Sequence, residues 1–114
     1  MSRAPITTGF EMTKTILALF NLKDGASSQD YITWAKSVDL PTVNGLKSVD
    51  QFTAFNVEGL LGSEERPPYQ YFETIDVNDM DLFMSEVGSD VMQKVAAEFR
   101  QFTDDVIFLV SESL

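Results

Sequence analysis

Three observations predict an α+β fold with the element order β-α-β-β-α-β. Short runs of β-favouring residues alternate with two segments of helical apolar periodicity. Turn-forming Gly, Pro, Asn and Asp residues punctuate the boundaries. The 114 residues suffice for one domain with its own core and leave no room for two. This order is the ferredoxin-like arrangement, an antiparallel sheet with two helices on one face.

The first strand is the apolar run from Thr15 to Phe20, ended by the turn Lys23-Asp24-Gly25. Ser27, with Asp30 three residues on, has the spacing of a capping box. The helix it opens places Tyr31, Trp34, Ala35 and Val38 on one apolar face. Pro41 should break or restart that helix, because it lacks an N–H and clashes with the preceding turn. Residues 49–57, with Phe52 and Phe55, form the second strand. A loop with two glycines and two prolines, residues 59–68, returns the chain to a third strand over residues 69–77. Asn78 with Asp81 should cap the next helical region. Gly88 interrupts it, and Ser89 or Asp90 restarts it, with Val91, Met92, Val95, Phe99 and Phe102 as the buried stripe. Residues 105–111 form the last strand.

A sheet covered on one side should alternate apolar and polar residues, yet the first and last strands are apolar on both faces. The economical cover for the second face is another copy of the chain, giving a homodimeric α+β barrel. Residues 1–11 carry no such periodicity and are expected to be an irregular extension, an alternative start or a scar; the domain is expected over residues 12–114.

Composition excludes much chemistry. There is no cysteine and no histidine, so disulfides, thiolate nucleophiles, Cys/His zinc sites and Ser–His or Cys–His pairs are ruled out. The net charge of −10 argues against nucleic acid and anionic membrane surfaces as partners. No stretch approaches a membrane span or a signal-peptide core, so the cytoplasm is the expected location. Residues 1–48 carry +1 and residues 49–114 carry −11, which reads as a solvated acidic face.

The segments Val38-Asp39-Leu40-Pro41-Thr42-Val43, Leu46-Lys47-Ser48-Val49-Asp50-Gln51-Phe52, Gly59-Leu60-Leu61-Gly62, Pro67-Pro68-Tyr69-Gln70-Tyr71-Phe72-Glu73 and Ile75-Asp76-Val77-Asn78-Asp79 resemble the REDY-like, or HapK, family. The resemblance runs over roughly residues 13–113 and implies a dimeric α+β barrel associated with red prodiginine-pigment gene clusters. In the related EthD-like proteins the corresponding segment tends to read His-x-Pro, where this chain has Asp39-Leu40-Pro41. The resemblance therefore implies a carboxylate at the place of an imidazole. It also implies a protein without cofactor or metal that acts on, or holds, an aromatic or heteroaromatic intermediate of pigment assembly or indole catabolism.

Asp39 is a candidate general base or acid, its pKa raised by an apolar wall that includes Trp34. The alternative is that it caps a short helix beginning at Leu40 or Pro41. Tyr69, Tyr71 and Glu73 alternate along one strand face. Facing the helices, they would bind and polarise a carbonyl or an indole N–H; facing a partner sheet, they would be interface groups. Tyr31 and Trp34 are either core or walls for a flat ligand. The run from Asp76 to Asp81 lacks the glycine of a calcium loop and has Met80 at a ligand position, so it is an acidic helix start. Gly59 and Gly62 lack the Lys-Ser/Thr of a phosphate loop, although the loop could act as a lid. Two functions remain. One is a cofactor-independent enzyme performing cyclisation, isomerisation or condensation, with Asp39 and Glu73 catalytic and Tyr31, Trp34, Tyr69 and Tyr71 binding substrate. The other is a non-catalytic binding or chaperone protein for an aromatic intermediate.

Overall fold

Burial alternates residue by residue along the first strand, with Ile16, Ala18 and Phe20 inside, and that alternation orients the sheet. The computed structural model describes residues 13–114, so the expectations for residues 1–11 lie outside the described residues. Strand β1 spans Lys14–Leu22. Helix α1, Ser28–Trp34, runs through a π-helical segment, Ala35–Asp39, into α2, Leu40–Asn44. Strands β2, Val49–Asn56, and β3, Tyr71–Val77, follow, then α3, Met80–Val87, α4, Asp90–Phe102, and β4, Thr103–Glu112. The strands form one antiparallel sheet in the order β2-β3-β1-β4, the ferredoxin-like topology that the sequence predicts.

Two caps are as expected. Ser27 accepts from the Asp30 N–H, and Ser89 accepts from the Met92 N–H just after the interruption at Gly88. Two local expectations are corrected. Asp79, not Asn78, caps α3, accepting from the Leu82 N–H; the Asn78 side chain instead donates to the Lys47 carbonyl and Asp50. Val91 is 62% exposed, because the stripe that faces the sheet is Met92, Val95 and Phe99. Pro41 restarts the helix rather than breaking it, one of the two outcomes expected of it. It stands in the first turn of α2, where a missing N–H costs nothing. The turn before it has opened to π geometry, with the Leu40 N–H donating to Ala35 and the Ser37 hydroxyl donating to the Thr33 carbonyl at 2.7 Å.

The helix-facing side of the sheet carries two apolar clusters. Ala18, Phe20, Tyr31, Ala35, Tyr71 and Phe99 make one. Ile16, Val43, Val49, Phe52, Ile75, Val77, Phe83 and Met92 make the other. On the opposite face, cross-strand register aligns Phe55, Phe72, Leu19 and Ile107 in one row and Thr53, Thr74, Leu17 and Leu109 in the next. Phe55 and Phe72 stack at 4.6 Å, and Ile107 and Leu109 remain 42% and 47% exposed. A β-bulge in β4 absorbs one extra residue opposite β1, and Asp105 takes the left-handed conformation there, with φ of 51°.

Asn44 ties the helical layer to the edge strand. Its amide donates to the carbonyls of Leu40 and Phe52, at 2.9 and 3.0 Å, and its oxygen accepts from the Phe52 N–H at 2.9 Å. Asn44→Ala leaves these backbone groups without that partner, so it should lower stability by about 1–2 kcal/mol. A thermal melt should show a midpoint several degrees lower; an unchanged midpoint would mean that the clamp contributes nothing.

Candidate functional site

Two carboxyl groups occupy the seam between the two core clusters. Along the helical layer, Tyr31 and Ala35 belong to one cluster, Val43 belongs to the other, and Asp39 stands between them. Along β3, Tyr71 belongs to the first cluster, Ile75 and Val77 to the second, and Glu73 stands between them. Both carboxyls are buried, Asp39 at 5% and Glu73 at 4% exposure.

The π segment is what delivers Asp39 to this seam. In a regular α-helix eight residues advance about 800°, which would leave Asp39 about 80° around the axis from Tyr31. A π turn holds roughly one residue more than an α turn, so residues beyond it fall back by about 100°. Asp39 thereby returns to within about 20° of the Tyr31 face. Its backbone is helical, and its side chain makes no capping hydrogen bond. The helix-cap reading of Asp39 is therefore corrected: the helix is already running when it reaches this residue.

Glu73 has alanine on both sides across the sheet, Ala18 on β1 and Ala54 on β2. The smallest apolar side chains thus flank the strand position that carries the charge. Around the seam stand aromatic rings: Tyr31 packs on Tyr71 at 4.9 Å between centroids, and Phe20 packs on Tyr31 and Tyr71 at 5.7 Å. Trp34 packs on Phe102 and Phe99, and its indole N–H donates to Glu98 at 2.8 Å. Glu98 is a partner that the sequence reading missed, although its spacing from Phe102 places both on one helix face. Tyr69 precedes β3 and is half-buried, so the predicted three-residue ladder is reduced to Tyr71 and Glu73 within the strand.

Electrostatics follow from burial. Loss of solvent pushes the Asp39 carboxyl up to about 7, against a smaller opposing effect of its contact with Glu73. Glu73 lies well above the usual carboxylate range, first through burial and then through the charge and the contact of Asp39; the Tyr31 hydroxyl acts in the opposite direction. Both carboxyls of the pair are thus raised, and burial together with their mutual repulsion favours a proton held between Asp39 and Glu73. Burial, and then the nearby Glu73 and Asp39, raise Tyr31 so that it stays a neutral phenol. These contacts are looser than hydrogen bonds of ordinary geometry: among the described residues, Tyr31 Oη and Glu73 Oε2 are buried with no hydrogen-bond partner. Each such atom costs about 1–3 kcal/mol. Also among the described residues, no group of three or more Asp or Glu side chains is placed to hold a metal ion.

A concavity of about 490 Å³ opens between α4 and β4. Phe99 forms part of its wall, with Lys23, Arg100 and Phe108. Because Phe99 packs at 4.9 Å on Phe20, this cleft adjoins the aromatic cluster, and neither Asp39 nor Glu73 lines it. No described helix is long and apolar enough to cross a membrane.

The family described as REDY-like protein HapK matches residues 14–114. The crystal structure of HapK from Hahella chejuensis is 26% identical over 89% of this chain and 92% of its own, with a TM-score of 0.73. An EthD family protein from Bacillus halodurans shares the fold at 10% identity, covering 90% of this chain and all of its own (100%), with a TM-score of 0.69. A dimeric ferredoxin-like protein from Thermobifida fusca does so at 13% identity, covering 90% of this chain and 92% of its own, with a TM-score of 0.70. No curated protein sequence matches the chain.

The raised pair makes stability depend on pH in a defined sense. Between the ordinary Asp value of 3.8 and about 7, the unfolded chain has released the Asp39 proton while the folded chain still holds it. This contribution is thus fully present at acid pH and is lost as pH rises toward 7, with Glu73 extending the loss further upward. Melting wild type and Glu73→Gln from pH 4 to pH 8 should show wild type losing ground steadily to the variant. A difference that stays constant across that range would mean that the pair does not titrate as described.

Proposed function

This chain belongs to the REDY-like HapK family, and on that premise we propose that it is a cofactor-independent enzyme moving protons on an aromatic small molecule. The reading is carried by one observation: two carboxyls, Asp39 and Glu73, share a buried seam walled by aromatic rings, and one of them is poised near neutral pH. Asp39 takes the proton and returns it. Glu73 holds a proton beside it, and Tyr31, Trp34, Tyr69 and Tyr71 orient the substrate. Such a centre suits cyclisation, isomerisation or condensation of an intermediate of pigment-type secondary metabolism or of indole metabolism, in the cytoplasm.

Asp39→Asn removes the charge at nearly constant size. With substrates drawn from the aromatic intermediates of neighbouring pathway enzymes, turnover should fall about 10²–10⁴-fold. Full activity in this variant would remove Asp39 from the mechanism.

A second reading, a binding protein that shelters such an intermediate, is favoured by the cleft between α4 and β4, which is separate from the carboxyls. On that reading Phe108→Ser weakens ligand binding while Asp39→Asn leaves it intact.

We further propose that the chain acts as a homodimer, because one row of the open sheet face is apolar throughout and the next adds Leu17 and Leu109. Light scattering should return twice the chain mass at micromolar concentration, and a monomer mass would overturn this.

A further inference from the structure

Tyr31 and Glu73 come from different layers, one from α1 and one from β3, yet each brings an unpartnered buried oxygen to the same seam. Tyr31 is 2% and Glu73 is 4% exposed. A phenol and a carboxylic acid are both O–H donors when neutral, and two such groups with no partner at ordinary hydrogen-bond geometry can both donate to a single oxygen with two lone pairs. Asp39, the third polar group of the seam, is an acceptor when ionised. Ala18, Ala35 and Ala54 keep side-chain bulk low around Glu73 and along the helix face between Tyr31 and Asp39.

Resting on the acid–base reading above, we propose that Tyr31 Oη and Glu73 Oε2 form a two-donor seat for a substrate carbonyl oxygen, and that the substrate is an aryl-bearing carbonyl compound enolised by Asp39. The step balances within the site. The C–H bond beside the carbonyl breaks and its proton passes to the Asp39 carboxylate. The electron pair forms a carbon–carbon double bond, and the carbonyl π electrons move to the oxygen, where two hydrogen bonds stabilise the enolate. Protonated Asp39 then returns the proton to a conjugated carbon, giving a net isomerisation, whereas return to the same carbon gives proton exchange alone. Burial supports the arrangement by raising both groups, which favours their neutral forms. Glu73 is thereby assigned as a donor and Asp39 as the base.

The probes are 2-naphthol, a flat mimic of the enol, and naphthalene, its hydrocarbon counterpart; a third, 2-tetralone, reports proton exchange. By fluorescence titration, wild type should bind 2-naphthol at least tenfold more tightly than naphthalene. Tyr31→Phe deletes one donor without changing shape and removes an orphaned hydroxyl, so its melting point should not fall. In this variant most of the naphthol preference should be lost while naphthalene affinity is unchanged. Equal binding of the two probes by wild type, or a preference untouched by Tyr31→Phe, overturns the seat. Followed by NMR in D₂O, wild type should exchange the α-protons of 2-tetralone faster than buffer, and Asp39→Asn should abolish the acceleration. Loss of exchange in Asp39→Asn, with a preference indifferent to Tyr31→Phe, overturns the seat and leaves the acid–base pair standing. A Tyr31-dependent preference with exchange unaffected by Asp39→Asn overturns enolisation by Asp39.

Discussion

Two carboxyl groups buried side by side impose the constraint on which this architecture turns. Taking a charge out of water costs several kcal/mol, and two neighbouring negative charges cannot both persist there. The seam between the clusters is tolerable only if a proton stays within the pair. Asp39 and Glu73 meet that condition, since both are raised above the usual carboxylate range. The flanking elements are consistent with it. Alanines stand on either side of Glu73, the aromatic rings exclude water on one side, and the helix changes pitch to bring Asp39 round.

What the sequence made legible was whatever obeyed a regular period or a local cap. The alternation of Ile16, Ala18 and Phe20, the cap at Ser27, and the break at Gly88 followed by the cap at Ser89 are short-range matters, and the structure agrees. The errors arose where the period itself changed or where a distant partner decided. Helical spacing grouped Tyr31 with Trp34, Ala35 and Val38, and only the π segment adds Asp39 to the face of Tyr31 and Ala35. Pro41 has the chemistry of a helix breaker, and only the register shift upstream of it lets the chain continue. Asn78 looked like a cap because its attachments to Lys47 and Asp50 come from residues about thirty positions away.

The same division applies to the candidate site. Asp39, Glu73 and Tyr71 could each be singled out from residue type and spacing, and they lie on the helix-facing side of the sheet. Their convergence could not be read, because it needs both the turn geometry of the helix and the pairing of β3 between β1 and β2. Charge was legible in amount but not in use. With a net charge of −10, one ion pair, Lys14–Glu112, is found among the described residues. Glu86, by contrast, is held by the Ser48 hydroxyl and the N–H groups of Ser48 and Lys47, which lower its pKa. Acidic side chains here serve backbone groups more than they serve cations.

The π segment has a consequence for descent. A π turn is a helix that has accepted one additional residue without lengthening its path by a full turn. Removing a single codon at Lys36 or Ser37, both exposed, would restore regular pitch and swing Asp39 out of the seam while Tyr31 and Ala35 stayed in place. Pro41 would then sit in a helix interior, where its ring collides with the preceding turn. The extra residue and the proline are therefore expected to be inherited as a unit, and a lineage that sheds one is under pressure to shed the other. The sheet is indifferent to that exchange, so the same scaffold can pass between forms with and without a buried base.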